Sequence, residues 1–483
     1  MADLKSYDKL FIDGEWADPA GSGTIDVVNP STEEVVAAVP DAVEADVDRA
    51  VAAARRAFDE GPWPRLSAAE RADVMAAVSQ GIQARMEEVA TTISTENGSP
   101  ISWSLMGQVL ASTMVLDYYT GLARDFAFEE TRQGMMGPVL VRREPVGVVG
   151  AITPWNVPLF TIMLKLAPAM AAGCTVVVKP APETPLDAFA LAEIAADAGL
   201  PPGVLNIVPA GREVGEHLVT HPGVDKIAFT GSTAAGKRIA ALCGERLRRV
   251  TLELGGKSAA ILLPDADPAQ VAPELLLSAS MMNNGEACVA QTRILAPRDR
   301  YSEWADAFAQ QVQGLKVGDA LDPETQIGPL VSERQRERVE GYIKIGQDEG
   351  AKVAVGGGRP AGLDRGYFVE PTVFVDVDNS MRIAQEEIFG PVIALIPYDT
   401  EEQAIAIAND SAYGLSGSVW GPDVERAADI ARQVRTGTLS INTFMLEFSC
   451  PFGGFKESGV GRELGPEGLE AYLESKSIQL PMA

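Results

Sequence analysis

The spacing of apolar residues changes several times along the chain. Residues 7–40 carry short apolar runs broken by turn pairs, Leu10-Phe11-Ile12 before Asp13-Gly14 and 25–28 before Asn29-Pro30. This predicts short strands. Over 44–58 and 68–98, Ala, Val, Ile and Met recur at three and four positions, which predicts helices, and a further helix is expected over 99–123. A polar, Gly-rich break then leads into an alternating run, 138–144, ended by Pro145. Its expected counterpart is 476–480. Two edge strands so far apart in sequence suggest a bridging or oligomerising sheet, and a surface hairpin is the other reading.

From Val146 strand and helix alternate regularly, with strands at 146–152, 175–179, 205–208 and 226–229 and helices at 158–172, 185–198 and 213–219. Near-continuous β-branched strands between helices predict a parallel sheet covered on both faces. The fold class is therefore α/β, a doubly wound domain that binds ligands beyond the C-terminal strand ends. A second α/β region runs to about 442, with helices at 334–349, 401–409 and 424–434 and strands at 374–377 and 417–420.

Between the two regions lies a helical run, 268–282, with Asp267 as its cap, Pro268 in its first turn and Asn283-Asn284-Gly285 at its end. Cys288 follows on a loop before a strand at 292–296. The negative end of a helix does not favour a thiolate, so a reactive Cys288 needs help from another group. Otherwise it is a small buried hydrophobe.

Composition narrows the chemistry. With 483 residues, two or three domains are expected, and 46% hydrophobic content suits a packed enzyme. The net charge of -27, from 40 basic and 67 acidic side chains, argues against nucleic acid and membrane partners. Four scattered cysteines (Cys174, Cys243, Cys288, Cys450) without a C-x-x-C pair suggest a reducing, cytoplasmic home. The N-terminal residues 1–11 lack the apolar core of a signal peptide, and the apolar stretch 158–178 is interrupted by Lys165 and Pro168. Only two histidines exist, His217 and His221; their spacing allows a metal pair, but surface or capping roles are commoner and no metal is expected. Any general base should then be a carboxylate.

The unusual residues sit at the strand ends. The first strand runs into Thr153-Pro154-Trp155-Asn156, and the second ends in Lys179, either a ribose or phosphate ligand or a solvated strand end. The fourth ends in Thr230 and a turn from Gly231 to Gly236 whose backbone N–H groups can meet a pyrophosphate. Glu253 occupies an apolar strand before Gly255-Gly256. It is either salt-bridged to Lys257 or Arg249, or a buried base.

These motifs coincide. Pro154-Trp155-Asn156, Lys179-Pro180, Phe229-Thr230-Gly231-Ser232, Glu253-Leu254-Gly255-Gly256-Lys257, the Cys288 loop, Glu387-Ile388-Phe389-Gly390-Pro391 and Pro451-Phe452-Gly453-Gly454-Phe455-Lys456 together resemble the aldehyde dehydrogenase superfamily across essentially the whole chain. The resemblance implies a nicotinamide-dependent aldehyde oxidation through a thiohemiacetal and a thioester. In it, Cys288 is the nucleophile, Asn156 with the Cys288 N–H forms the oxyanion hole, and Glu253 activates the hydrolytic water. It implies Lys179 on the adenosine ribose, Gly231 and Ser232 on the pyrophosphate, and Glu387 on the nicotinamide ribose with Phe389 beside the ring. Ile152, Thr153, Pro154, Trp155, Pro182, Glu183, Gly211, Gly215, Phe229, Thr230 and Leu254 complete the implied cofactor cleft. The expected domains are 1–125 with 146–255 for the dinucleotide, 256–453 for catalysis, and 126–145 with 465–483 for bridging, in a homodimer or homotetramer.

Two departures from the family pattern stand out. Glu286 replaces a frequent Gln two residues before the nucleophile, which adds charge near the thiol and is expected to shift the pH optimum. Pro182 stands where many NAD-preferring members have the Glu that repels a 2'-phosphate, so NAD is the expected cofactor with NADP not barred. The access tunnel implied by the family, Val157, Phe160, Leu164, Val289, Phe444 and Phe448, is apolar and lacks an arginine. A medium or large hydrophobic aldehyde is therefore the expected partner. The alternatives are a CoA-acylating variant, a non-catalytic structural relative and a thiol hydrolase without cofactor.

Overall fold

Five short runs, Val148–Ile152, Thr175–Lys179, Leu205–Ile207, Lys226–Thr230 and Arg249–Glu253, form the parallel centre of an eight-stranded sheet. The computed structural model describes residues 4–481, so the ends of the segments 1–11 and 465–483 lie outside the described residues. The central strands are almost wholly buried, as expected of β-branched runs packed beneath helices. Glu44–Asp59 with Arg212–Thr220, and Pro158–Ala172 with Leu186–Asp197, supply that cover.

Sheet register decides where the chemistry sits. Val148–Ile152 lies between Lys226–Thr230 and Thr175–Lys179, so the strand order reverses at this central strand. Ile152 pairs with Lys179 on one side and Phe229 on the other, and Thr230 pairs with Glu253. The C-terminal ends thus form one row, Lys179, Ile152, Thr230, Glu253, where a doubly wound sheet opens its ligand crevice.

After Glu253 the chain crosses through Leu254-Gly255-Gly256-Lys257-Ser258 into Ala259–Leu262, the start of a seven-stranded sheet. Arg293–Pro297, which follows the Cys288 loop, pairs in parallel beside it. Separate apolar clusters fill the second sheet's surroundings. A third sheet pairs Gly137–Pro145 antiparallel with both Glu129–Gly134 and Leu473–Gln479, so the two distant edge segments do meet.

The helix expected over 99–123 has a different interior: Ile101–Trp103 and Ala111–Asp125 are α-helical, but Ser104–Leu110 between them is a π-helix. Likewise the run 268–282 is α-helical only over Pro268–Leu275 and continues as a π-helix, Leu276–Ser280. No helix among the described residues is long and apolar enough to cross a membrane.

Candidate active site

The loop bearing Cys288 is held by backbone packing and amide side chains. Asp267 caps the preceding helix by accepting from the Ala269 N–H at 3.0 Å. After the π-helix the chain turns tightly, with Asn283 and Asn284 in the left-handed region (φ 49° and 60°), which Asn tolerates better than most residues. The Asn284 amide donates to the Gly98 and Pro329 carbonyls and accepts from Gly328. Asn283 donates to the Asn156 carbonyl at 2.9 Å and accepts from Ser99. Gly256 lies against the Cys288 carbonyl so closely that a Cβ would strike it, which explains the second glycine of the crossing.

Burial pushes the Cys288 thiol up to about 12, and the negative charges of Glu387 and Glu253 add to this against weaker help from the Val289 and Cys288 N–H groups. The resting group is a thiol, and its activation needs a base.

Glu253 is that candidate base. It ends its strand fully buried, and neither carboxyl oxygen has a partner among the described residues. The salt-bridge reading fails: Arg249 pairs with Glu474 instead, and no contact reaches Lys257. Burial and then Glu463 raise the Glu253 carboxyl well above its usual range, opposed by Lys165 and Arg462. An unpartnered buried carboxyl is costly unless the site uses it.

Asn156 faces the same loop. Its side-chain amide donates to the Glu286 carbonyl at 2.8 Å, while its own carbonyl accepts from Asn97, Gln108 and Asn283.

Glu286, two residues before Cys288, is buried. Its side chain accepts from the Val331 N–H at 3.2 Å and is 2% exposed. Burial raises its carboxyl well above the ordinary value, against the weaker help of the Val331 N–H. A carboxyl with a raised folded pKa gives stability that is complete below its unfolded pKa and is lost as pH rises towards the folded one. Glu286→Gln keeps the Val331 acceptor without the proton. Its melting-temperature advantage over the wild type should grow as pH rises above the ordinary carboxyl range; thermal scans at pH 5 and pH 9 check this, and an advantage that does not change with pH contradicts it.

The residues assigned to a cofactor line the row of strand ends. Thr153 N–H donates to the Lys179 carbonyl, Trp155 meets Phe389 edge-on at 5.3 Å, and Phe229 and Thr230 lead into Gly231. Lys179 is not a solvated strand end. It is buried, donates to the Ala210 (2.7 Å) and Pro180 carbonyls, lies along Gly215, and burial lowers its ammonium to about 8. Gly211 and Ser232 precede the helices Arg212–Thr220 and Thr233–Glu245, and Ser232 caps the second by accepting from Ala235. Leu254 N–H donates to the Ser458 carbonyl. Glu387 folds back to accept from Gly256 at 2.9 Å beside Gly255, and burial raises its carboxyl to about 7. Glu183, next to Pro182, pairs with Arg334 at 3.3 Å, so its carboxylate is directed elsewhere.

Val157, Phe160, Leu164, Val289, Phe444 and Phe448 fall in one apolar cluster with Cys288, and Phe160 and Phe448 pack at 6.1 Å. The two histidines share Asp48, His217 at 2.6 Å and His221 at 3.3 Å. The Gly223 N–H donates to His221 Nδ1, so the neutral ring carries its proton on Nε2, the nitrogen facing Asp48.

Four further residues belong to the site and escaped the sequence reading. Lys165, fully buried, donates to Thr230 (2.6 Å) and to Glu463 (2.8 Å), placing an ion pair behind Glu253. Gln335 donates to the Phe389 carbonyl at 2.6 Å and Arg338 to those of Glu387 and Ile388. Together they clamp a turn in which Phe389 has φ 65°. A lysine in an otherwise apolar helix was the one visible signal.

The aldehyde dehydrogenase family model matches residues 16–478. The geranial dehydrogenase of Castellaniella defragrans is 50% identical, covering 98% of this chain and 99% of its own. A Mycobacterium tuberculosis aldehyde dehydrogenase solved with NAD+ is 54% identical, covers 99% of both chains and superposes with a TM-score of 0.98. Aldehyde dehydrogenase C of Pseudomonas syringae, solved as a cysteine-to-alanine mutant with NAD+ and octanal, is 45% identical over 98% of this chain and 97% of its own, with a TM-score of 0.95.

Proposed function

The chain belongs to the aldehyde dehydrogenase family and oxidises an aldehyde with NAD, and we propose that its substrate is a medium or large hydrophobic aldehyde converted to the acid. The observation that carries this is that Val157, Phe160, Leu164, Val289, Phe444 and Phe448 share one apolar core cluster with Cys288, while the buried Glu253, without a partner among the described residues, is near enough to raise the thiol. The geranial and octanal of two relatives are consistent with such a substrate.

In this reading Cys288 Sγ attacks the aldehyde carbon after losing its proton to Glu253, which passes that proton to solvent before the hydrolytic step. The Asn156 amide, ordered by one N–H on the Glu286 carbonyl and with a second to give, and the Cys288 N–H hold the developing oxyanion. Bound NAD supplies the acceptor for the hydride. Glu253 then takes a proton from the water that hydrolyses the thioester, and the Lys165–Glu463 pair sets the field in which it titrates. The helix N-terminus at Gly231-Ser232, the buried Lys179 and Glu387 fit a dinucleotide. We assign them the pyrophosphate, adenosine ribose and nicotinamide ribose, with Phe389 beside the ring.

We assign residues 1–125 and 146–255 to cofactor binding, 256–453 to catalysis, and 126–145 with 465–483 to bridging in a cytoplasmic homodimer or homotetramer. The exposed edges of the three-stranded sheet support the last assignment. Pro182 leaves the adenosine ribose without an opposing carboxylate, so NADP is accepted beside NAD. Pro182→Glu should raise the NAD-over-NADP ratio of kcat/KM by about tenfold through like-charge repulsion; an unchanged ratio removes that role.

The test of the reading is the rate of NADH formation over a panel of aldehydes. Higher kcat/KM with decanal or an aromatic aldehyde than with succinic semialdehyde is expected. Comparable values would overturn it.

A further inference from the structure

We infer that a small cavity at the N-terminal ends of three strands of the second sheet binds one monatomic anion, a chloride or another halide.

Ala259, Arg293 and Gly417 each open a strand, and Ala259 pairs with both of the others. The cavity lies against these strand starts, encloses about 10 Å³ and takes one water-sized species. Lys257, Ser258, Arg293, Ser416, Arg435 and Thr436 line it, and no carboxylate does. It shares no residue with the clefts assigned above to the dinucleotide and the aldehyde.

Positive charge gathers there. Lys257 is 2% exposed, and its ammonium has no hydrogen-bond or ion-pair partner among the described residues. Arg293, equally buried, directs its N–H groups at neutral oxygens: the Lys257, Ile407, Ala408 and Asp410 carbonyls and the Asn379 amide. Arg435 adds a third cation. Lys456, held on the Asn409 and Ser411 carbonyls, stands within electrostatic reach of Arg435 and Arg293. Glu387 and Glu386 act on Lys257, and Asp410 on Arg293, from outside the cavity. Burial and then Arg293 still lower the Lys257 ammonium to about 7. Neighbouring buried cations are costly unless a counter-charge joins them.

Hydroxyls complete the site. Ser416 Oγ is buried and has no partner among the described residues. Ser258 Oγ accepts from the Ser416 N–H at 3.2 Å, which leaves its own proton to give. The Lys257 ammonium and two hydroxyls thus offer donors to one cavity, a set that suits a halide. A water would satisfy the hydroxyls alone, whereas an anion also offsets the charge. A polyatomic anion such as phosphate exceeds the space. Lys257 and Ser258 end the crossing that follows Glu253, and Ser416 precedes the strand Gly417–Trp420, so the ion ties the two together and stabilises the folded chain.

The test uses bromide in the crystal and chloride in solution. Wild-type crystals soaked in sodium bromide should show one anomalous peak per chain within hydrogen-bond reach of Lys257 Nζ and Ser416 Oγ. In solution, about 200 mM sodium chloride should raise the melting temperature by about 2 °C or more over sodium gluconate at equal ionic strength, because gluconate matches the screening and cannot enter. Lys257→Met should lose that difference, and the milder Ser416→Ala should lose about half of it or more. A water in place of the anomalous peak overturns the assignment. So does a chloride difference equal in the wild type and both variants, which is a general salt effect. A peak with no chloride difference in solution marks an adventitious ion only and also overturns it. Should Lys257→Met fail to fold, the bromide crystal and Ser416→Ala decide.

Discussion

Cys288→Ala is expected to abolish aldehyde-dependent NAD reduction, a fall of about ten-thousandfold or more in kcat. The loop should survive the change, because its supports do not use the thiol. The Asn156 amide bonds the Glu286 carbonyl, Asn283 and Asn284 bond backbone carbonyls, and Gly256 packs on the Cys288 carbonyl. NAD affinity, followed by calorimetry, should stay within about twofold, since the proposed dinucleotide contacts lie along the strand ends. Residual turnover within about tenfold of wild type would remove Cys288 from the nucleophile role.

Glu253→Gln carries the second large effect, and it separates the two halves of the reaction. Loss of a general base costs about a hundredfold to ten-thousandfold, and the expected loss falls on steady-state kcat. The first turnover should still release about one equivalent of NADH, provided the thiol is ionised by raising the pH, because only the hydrolytic half requires the carboxylate throughout. The pH dependence has a definite sign. Burial and Glu463 raise the Glu253 carboxyl, so it is protonated and idle at low pH, and the wild-type rate should climb as pH rises through its titration. The Gln variant should lose that limb. Stopped-flow bursts and pH–rate profiles of both proteins measure these outcomes, and an unaltered limb would show that another group is the base.

Much of this site was legible before folding was considered, for identifiable reasons. Strand ends at Lys179, Thr230 and Glu253 were visible because β-branched runs stop abruptly at polar residues, and parallel register then brings those ends into one row. Glu253 was visible because a carboxylate in an apolar strand demands a reason. The Lys165–Glu463 pair was not visible, since its members are 298 residues apart and neither lies in a motif. The π-helical segments were hidden as well: apolar spacing over 99–123 and 268–282 reads as continuous helix, and the widened turn depends on packing rather than on period. The burial of Glu286 was not visible either, because a charge written in a loop says nothing about burial. Folding places it against Val331, where burial raises its carboxyl.

The central claim is that Cys288 holds the substrate covalently and Glu253 releases it. Intact-protein and peptide mass spectrometry of Glu253→Gln, acid-quenched after mixing at raised pH, where the thiol ionises without the carboxylate, with NAD and an aldehyde that the wild type oxidises, tests this most directly. The expected result is one acyl group per chain on the peptide containing Cys288, and none on Cys288→Ala treated in the same way. NADH accumulating while Cys288 stays unmodified would contradict the mechanism.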